Sequence, residues 1–164
     1  MDESVNGELF GGHSITEELF KYIRSVLPDG GTLLELGSGR ITELFTEHYK
    51  VYSVENDPFW VDTTESTYIY APLVDDKWYD TEILKRELPE KYDLLLVDGP
   101  RTQERRANII NNLDLFRDDC IWLFDDVNQP GNLATFDKIV EITGRRGDKV
   151  QMGTKLAGIL YPNT

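Results

Sequence analysis

Three aspartates, Asp98 and the adjacent pair Asp125-Asp126, follow directly on the apolar runs Tyr92–Val97 and Ile121–Phe124. A carboxyl at the end of a buried strand is held firmly yet faces the loop side. Three of them converging there could take a proton from a hydroxyl or supply oxygen ligands to octahedral Mg²⁺, completed by water and substrate. A bound metal would orient a hydroxyl and lower its pKa. The simpler account leaves Asp98 on a loop amide or a cofactor edge, and Asp125 or Asp126 capping the segment before the next helix. Arg101, three residues after Asp98, stays protonated and is a poor base. It serves either as the partner of an acidic substrate or as a solvated loop residue.

A second group surrounds Leu34-Glu35-Leu36-Gly37-Ser38-Gly39. Gly37 and Gly39 let a backbone turn tightly and approach a ligand with no Cβ in the way. Glu55, twenty residues beyond Glu35, ends the next apolar run, where a carboxylate accepts hydrogen bonds from both hydroxyls of a ribose. Taken singly, these residues are equally well loop glycines and a solvated turn acid. A dinucleotide site wants Gly-x-Gly-x-x-Gly around a pyrophosphate, and the sixth position here is Thr42. The missing glycine and Glu35 argue against pyrophosphate, whereas an acid beside the turn suits the positively charged amino-acid end of S-adenosylmethionine. His13, ahead of the first helix, is read either as a cofactor contact or base, or as a surface histidine. Trp78-Tyr79 covers a ligand or packs a loop, and Arg105-Arg106 and Arg145-Arg146 read as helix charges.

The elements that must hold these groups alternate. Ser14-Ile15-Thr16-Glu17 has the spacing of a capping box, and Leu19, Phe20, Ile23, Val26 and Leu27 follow with helical period. Strands are predicted at 32–36, 51–54, 68–71, 92–97 and 121–124, with helices from Ile41, over 81–88, over 102–116, and from a cap at Asn132 to about Thr143. Lys149–Met152 and Lys155–Leu160 flank Gly153-Thr154, a tight hairpin turn. The pattern predicts an α/β, doubly wound, Rossmann-like domain over residues 1–164, mostly parallel, closing with an antiparallel C-terminal hairpin. Ligands of such sheets bind beyond the carboxyl ends of the strands, where strand order reverses.

The chain has 164 residues, 40% of them hydrophobic, and its 30 acidic against 17 basic residues give a formal net charge of −13. That charge repels phosphate backbones and anionic membranes, so the expected partners exclude nucleic acid and membrane. The one cysteine, Cys120, lies in an apolar run and cannot form an internal disulfide, which favours a reducing, cytoplasmic setting. Met1-Asp2-Glu3-Ser4 does not resemble the start of a targeting segment, and no apolar run is long enough to cross a bilayer.

Together, Leu33–Gly39, Val54-Glu55-Asn56-Asp57, Tyr70-Ala71-Pro72-Leu73 and Tyr92–Asp98 resemble, in order and spacing, the first four motifs of class I S-adenosylmethionine-dependent methyltransferases, and the final hairpin resembles their reversed last strand. Ile41 stands where many members carry a third glycine. The resemblance implies a seven-stranded sheet, with cofactor contacts from His13, Glu35, Gly37, Ser38, Gly39, Glu55, Asn56, Ala71, Pro72 and Asp98. Asp98, Asp125-Asp126-Val127 and Pro130-Gly131 are similar to the metal-ligand pattern of cation-dependent O-methyltransferases, of catechol and sugar-modifying types. This implies Asp98, Asp125 and Asp126 as Mg²⁺ ligands and Asp98, Arg101 and Asp125 as catalytic groups. Asp126 replaces an asparagine of the catechol type, and Arg101 stands near the place of its lysine base. The function implied is methyl transfer to a small-molecule hydroxyl. The alternative is a catalytically reduced cofactor-binding or interaction module; a nicotinamide dehydrogenase is disfavoured by Thr42 and the hairpin. With no long insertion to build an acceptor pocket, the site is open, completed by a second subunit in a homo-oligomer, or cut down.

Overall fold

The computed structural model describes residue 10 and residues 14–163; His13 and the N-terminal Met1–Ser4 lie outside the described residues. Four strands carry the centre: β1 (Thr32–Leu36), β2 (Lys50–Glu55), β6 (Leu94–Val97) and β7 (Ile121–Phe124). Strands β6 and β7 are apolar on both faces, and β1 nearly so, because both faces are covered. Leu34, Leu36, Leu95, Val97, Trp122 and Phe124 pack with Leu84, Ile109, Phe136 and Ile139 on one side. Leu33, Val51, Leu94, Leu96 and Leu123 pack with Leu19, Ile23, Ile41 and Phe45 on the other. Burying each such side chain contributes roughly 1.5–3 kcal/mol, and the two-sided demand fixes the register of every central strand.

Among the described residues seven strands form one sheet in the order β3-β2-β1-β6-β7-β9-β8, where β3 is Thr67–Tyr70, β8 is Gly147–Met152 and β9 is Lys155–Leu160. The first five are parallel, while β9 runs antiparallel to β7 and β8. The order reverses between β1 and β6. This is the Rossmann-like fold of class I methyltransferases, as the strand pattern predicts. Leu73–Val74 (β4) and Trp78–Tyr79 (β5) pair as a small separate ribbon. Among the described residues no helix is long and apolar enough to cross a membrane.

Three expected boundaries shift for local reasons. Helix α1 (Glu17–Val26) is capped by Thr16, whose hydroxyl accepts from the Leu19 amide, rather than by Ser14. The helix expected over 102–116 is a single α turn, α4 (Gln103–Arg106), followed by a 3₁₀ stretch Ala107–Leu115 with Asn112 outside helical φ/ψ. Here Asn108 and Asn112 donate to the carbonyls of Glu104, Arg105 and Asn108, the local competition that makes asparagine a poor helix interior residue. Helix α5 (Pro130–Thr143) starts on Gln129 with Pro130 in its first turn, a position where the missing N–H costs nothing. Asn132, expected as its cap, is buried and donates to the Asp126 carbonyl. Helices α2 (Ile41–Thr46) and α3 (Thr81–Glu87) stand as expected.

Candidate functional site

Alternation along β1 puts Glu35 on the face of Leu33, toward α1 and α2. Its Oε2 accepts from the hydroxyls of Thr42, at 2.7 Å, and Ser53, at 2.5 Å. Thr42 in turn accepts from the Gly39 amide at 3.1 Å, so the residue that stands in the way of a dinucleotide ties the glycine turn to the strand beneath it. Burial raises the Glu35 pKa to about 7 despite those hydrogen bonds.

Gly37 takes φ +89°, and a Cβ there would sit 2.7 Å from the Asp98 carbonyl oxygen. The glycine is required by the close approach of the β1 and β6 exits. Gly39 differs: among the described residues nothing lies within 4 Å of where its Cβ would be, and its φ is not positive. Its open side is a cradle that a side chain would fill. Glu55, buried at the end of β2, accepts from the Ser38 amide at 3.1 Å and hydroxyl at 2.7 Å through Oε1, and from the Asp57 amide at 2.8 Å through Oε2. The acid is thereby aimed at the turn.

A pocket opens between these groups, walled by Gly37, Ser38, Glu55, Asn56, Trp60 and Asp98, with Tyr79 at its base and Arg101 at its rim. A smaller cavity on the other side of the turn takes Glu35, Gly39 and Thr42. Ala71 is buried and Pro72 exposed at the end of β3, and neither belongs to the walls of these two cavities. Tyr79 is 1% exposed, yet its hydroxyl has no hydrogen-bond partner among the described residues. A buried unmade hydrogen bond costs on the order of 1–3 kcal/mol, and this hydroxyl belongs to a residue that lines the pocket. The paired aromatics of the sequence thus separate: Trp78 packs against Phe116 in the core, and Tyr79 reaches the pocket.

The three aspartates do converge. Asp98, Asp125 and Asp126 offer oxygens within 4.8 Å of one another. Burial raises the pKa of Asp98 well above the carboxyl range and raises that of Asp125, and the Asp98 carboxyl hydrogen-bonds to Asp125. Each acid disfavours ionisation of its neighbour, so the pair holds protons more tightly than isolated carboxyls do. Two cations complete the cluster. Lys155 Nζ lies 2.9 Å from Asp126 Oδ1 and 3.4 Å from Asp125 Oδ2, and Arg106 Nη1 lies 3.7 Å from Asp126 Oδ2. Burial pushes the Lys155 pKa down, but attraction by Asp125 and Asp126 outweighs it and leaves the ammonium above its ordinary value. The donor set is one that Mg²⁺ could use, but with the ammonium held on two of its three carboxyls the residues present do not fit a divalent ion.

The sequence pattern marks Lys155 only as a hairpin residue and Arg106 only as a helix charge. Only the antiparallel placement of β9 beside β7 shows where the lysine goes. Arg106 is 9% exposed and donates to the Pro100 carbonyl at 3.4 Å. Arg145, also expected on a helix surface, is 3% exposed, donates to the carbonyls of Cys120 and Tyr161, and stacks over Trp122.

Sheet order, the Gly37 turn and the acid ending β2 define a class I methyltransferase fold, and solved structures share it. The delta-N METTL16 MTase domain is similar at TM-score 0.61 with 13% identity, over 90% of this chain and 83% of that one. A rRNA methylase from Streptococcus thermophilus gives 0.57 with 14% identity, over 88% and 93%. The MycE methyltransferase of the mycinamycin biosynthetic pathway, in complex with Mg, SAH and mycinamycin VI, gives 0.52 with 17% identity, over 99% of this chain and 49% of that one. No family model and no curated protein matches the chain.

The expectation that excludes nucleic acid is corrected by this finding. A rRNA methylase is built on the same framework, so the fold admits such acceptors. The net charge is a sum over the whole surface, whereas an acceptor meets only the rim of the pocket, where Arg101 is exposed.

Proposed function

We propose that this chain, folded as one domain, is an S-adenosylmethionine-dependent methyltransferase acting on an acceptor hydroxyl. The observation that carries the reading is the pocket at the strand-order reversal, with Glu55 fixed on the glycine turn and the unpartnered Tyr79 hydroxyl at its base. Both fit a polar, ribose-bearing cofactor, and the open side of Gly39 gives it a place against the backbone. When bound, S-adenosylmethionine supplies an electrophilic methyl group.

Glu55 takes the ribose hydroxyls. A carboxylate has about four acceptor positions, and Ser38 and Asp57 occupy three, so the Ser38 hydroxyl releases its bond as the ribose arrives. Asn56 flanks the ribose, and Glu35, tied through Thr42 to the Gly39 amide, braces the glycine turn against which the amino-acid end lies. Asp98 faces the pocket and accepts the hydrogen bond of the acceptor hydroxyl, which orients its oxygen for in-line attack. On methyl transfer the hydroxyl proton would pass to Asp98, with Asp125 beside it as the second carboxyl able to take up a proton. Arg101 at the rim binds an anionic group of the acceptor.

For the acceptor, the first reading is a small hydroxylated molecule. A second reading, an RNA hydroxyl, is favoured by the rRNA methylase on the same framework and by exposed Arg101. Calorimetry tests the cofactor: the chain is expected to bind S-adenosylmethionine and S-adenosylhomocysteine, and binding of NAD alone would overturn the proposal. Transfer of a radiolabelled methyl group to hydroxylated metabolites or to total RNA then assigns the acceptor. Cofactor binding with no transfer to either pool supports the alternative of a cofactor-binding module.

A further inference from the structure

The aspartate cluster contains its own cation. Lys155 is the first residue of β9 and pairs with Met152 across the Gly153-Thr154 turn. The parallel strands β6 and β7 bring their carboxyl ends to the site, and only an antiparallel neighbour brings the start of a strand there. The hairpin is locked in place by the Val127 amide donating to the Leu156 carbonyl at 2.9 Å and the Leu156 amide donating to Asn128 Oδ1 at 3.3 Å.

The ammonium so placed has three N–H donors and three partners: the Ser14 carbonyl at 2.8 Å, Asp126 Oδ1 at 2.9 Å and Asp125 Oδ2 at 3.4 Å. The lysine is 9% exposed, so water has little part in satisfying it. Asp126 adopts φ +60°, a left-handed conformation uncommon outside glycine although aspartate tolerates it, and in this conformation its carboxylate meets the ammonium. Mg²⁺ requires near-octahedral oxygens at about 2.0–2.1 Å. An ion drawn among these carboxylates would meet Nζ, a like charge, before it completed that shell.

We propose that Lys155 replaces a divalent metal: its ammonium fills the cation position of the Asp98, Asp125, Asp126 cluster, and the site works without Mg²⁺. Lys155 is a positioning residue that holds Asp125 and Asp126 behind Asp98. The cation assignment concerns the cluster alone; its consequence, methyl transfer insensitive to chelators, rests on the function proposed above.

The test is a titration with Mn²⁺, followed by the electron spin resonance of the free ion and by the melting temperature. Wild type is expected to bind no ion at millimolar concentration. Lys155→Met, which empties the position, is expected to bind one ion at least tenfold more tightly than wild type and to gain melting temperature on adding it. Lys155→Met/Asp126→Asn is expected to lose both effects, which a lysine with a merely structural role would not produce. An ion bound by wild type and lost in Asp126→Asn overturns the proposal, as does a folded Lys155→Met that gains none. Should Lys155→Met not fold, Lys155→Gln, which keeps donors for Ser14 and Asp126, replaces it under the same criteria. Cofactor binding is measured separately, so failure of the methyltransferase reading leaves these titrations interpretable.

Discussion

At the scale of single residues, two buried polar groups lead to opposite expectations. Tyr79→Phe removes a hydroxyl that no described residue satisfies, so stability is expected to hold or rise slightly in urea unfolding. Affinity for S-adenosylhomocysteine is expected to fall about tenfold, near 1.4 kcal/mol, the scale of one hydrogen bond. Unchanged affinity would remove Tyr79 from the ligand's contacts. Glu35 gives a pH signature. Its carboxyl keeps a proton in the folded chain up to about pH 7, whereas an ordinary glutamate releases it near 4.5. Between those values the folded chain binds the extra proton, and stability falls as pH rises. The Glu35→Gln variant is expected to lose less stability than wild type between pH 4.5 and 8, by up to about 3 kcal/mol at 1.36 kcal/mol per unit. Parallel curves for the two proteins would refute that assignment. The aspartates and Glu55 were legible in the sequence because strand ends announce where their side chains go. Lys155 and Arg106 were not, because their roles depend on which strands become neighbours, and charge pattern alone carries no such information.

At the scale of elements, the glycine turn separates architecture from binding. Gly37→Ala is expected to destabilise the fold by roughly 1–3 kcal/mol, from the positive φ and the collision with the Asp98 carbonyl. Gly39→Ala, whose Cβ meets open space, is expected to leave the melting temperature within about 1 °C but to weaken cofactor binding at least tenfold. Thermal melts beside calorimetry separate the two, and equal stability losses would contradict the distinction. The strands were legible because their burial is two-sided and their apolar runs are short. The 102–116 segment was misread because its apolar spacing suits a helix, while the carbonyl-seeking amides of Asn108 and Asn112 favour a tighter winding. A sequence period reports which face is buried more reliably than which helix buries it.

At the scale of the whole molecule, the sheet grades from centre to edge. Strands β1, β6 and β7 are almost wholly buried, whereas β8 exposes Asp148 through Gln151 on the outer edge. Hydrogen exchange is expected to be slowest in the amides of β1, β6 and β7 and fastest, among the strands of the large sheet, in β8. Slow exchange throughout β8 would indicate that a partner covers this edge. Polar side chains there discourage pairing with another chain. Net charge proved the weakest guide to partners, since a total of −13 does not describe the rim of one pocket. The tie from Lys155 to Ser14 spans 141 residues, and it gives the site an order of completion. A ribosome delivers Ser14 first, then Asp98, Asp125 and Asp126, and only later the lysine that joins them. A nascent chain halted before residue 155 holds the acids with Arg106 but without Lys155, so the cluster is completed only once the hairpin of β8 and β9 has been made.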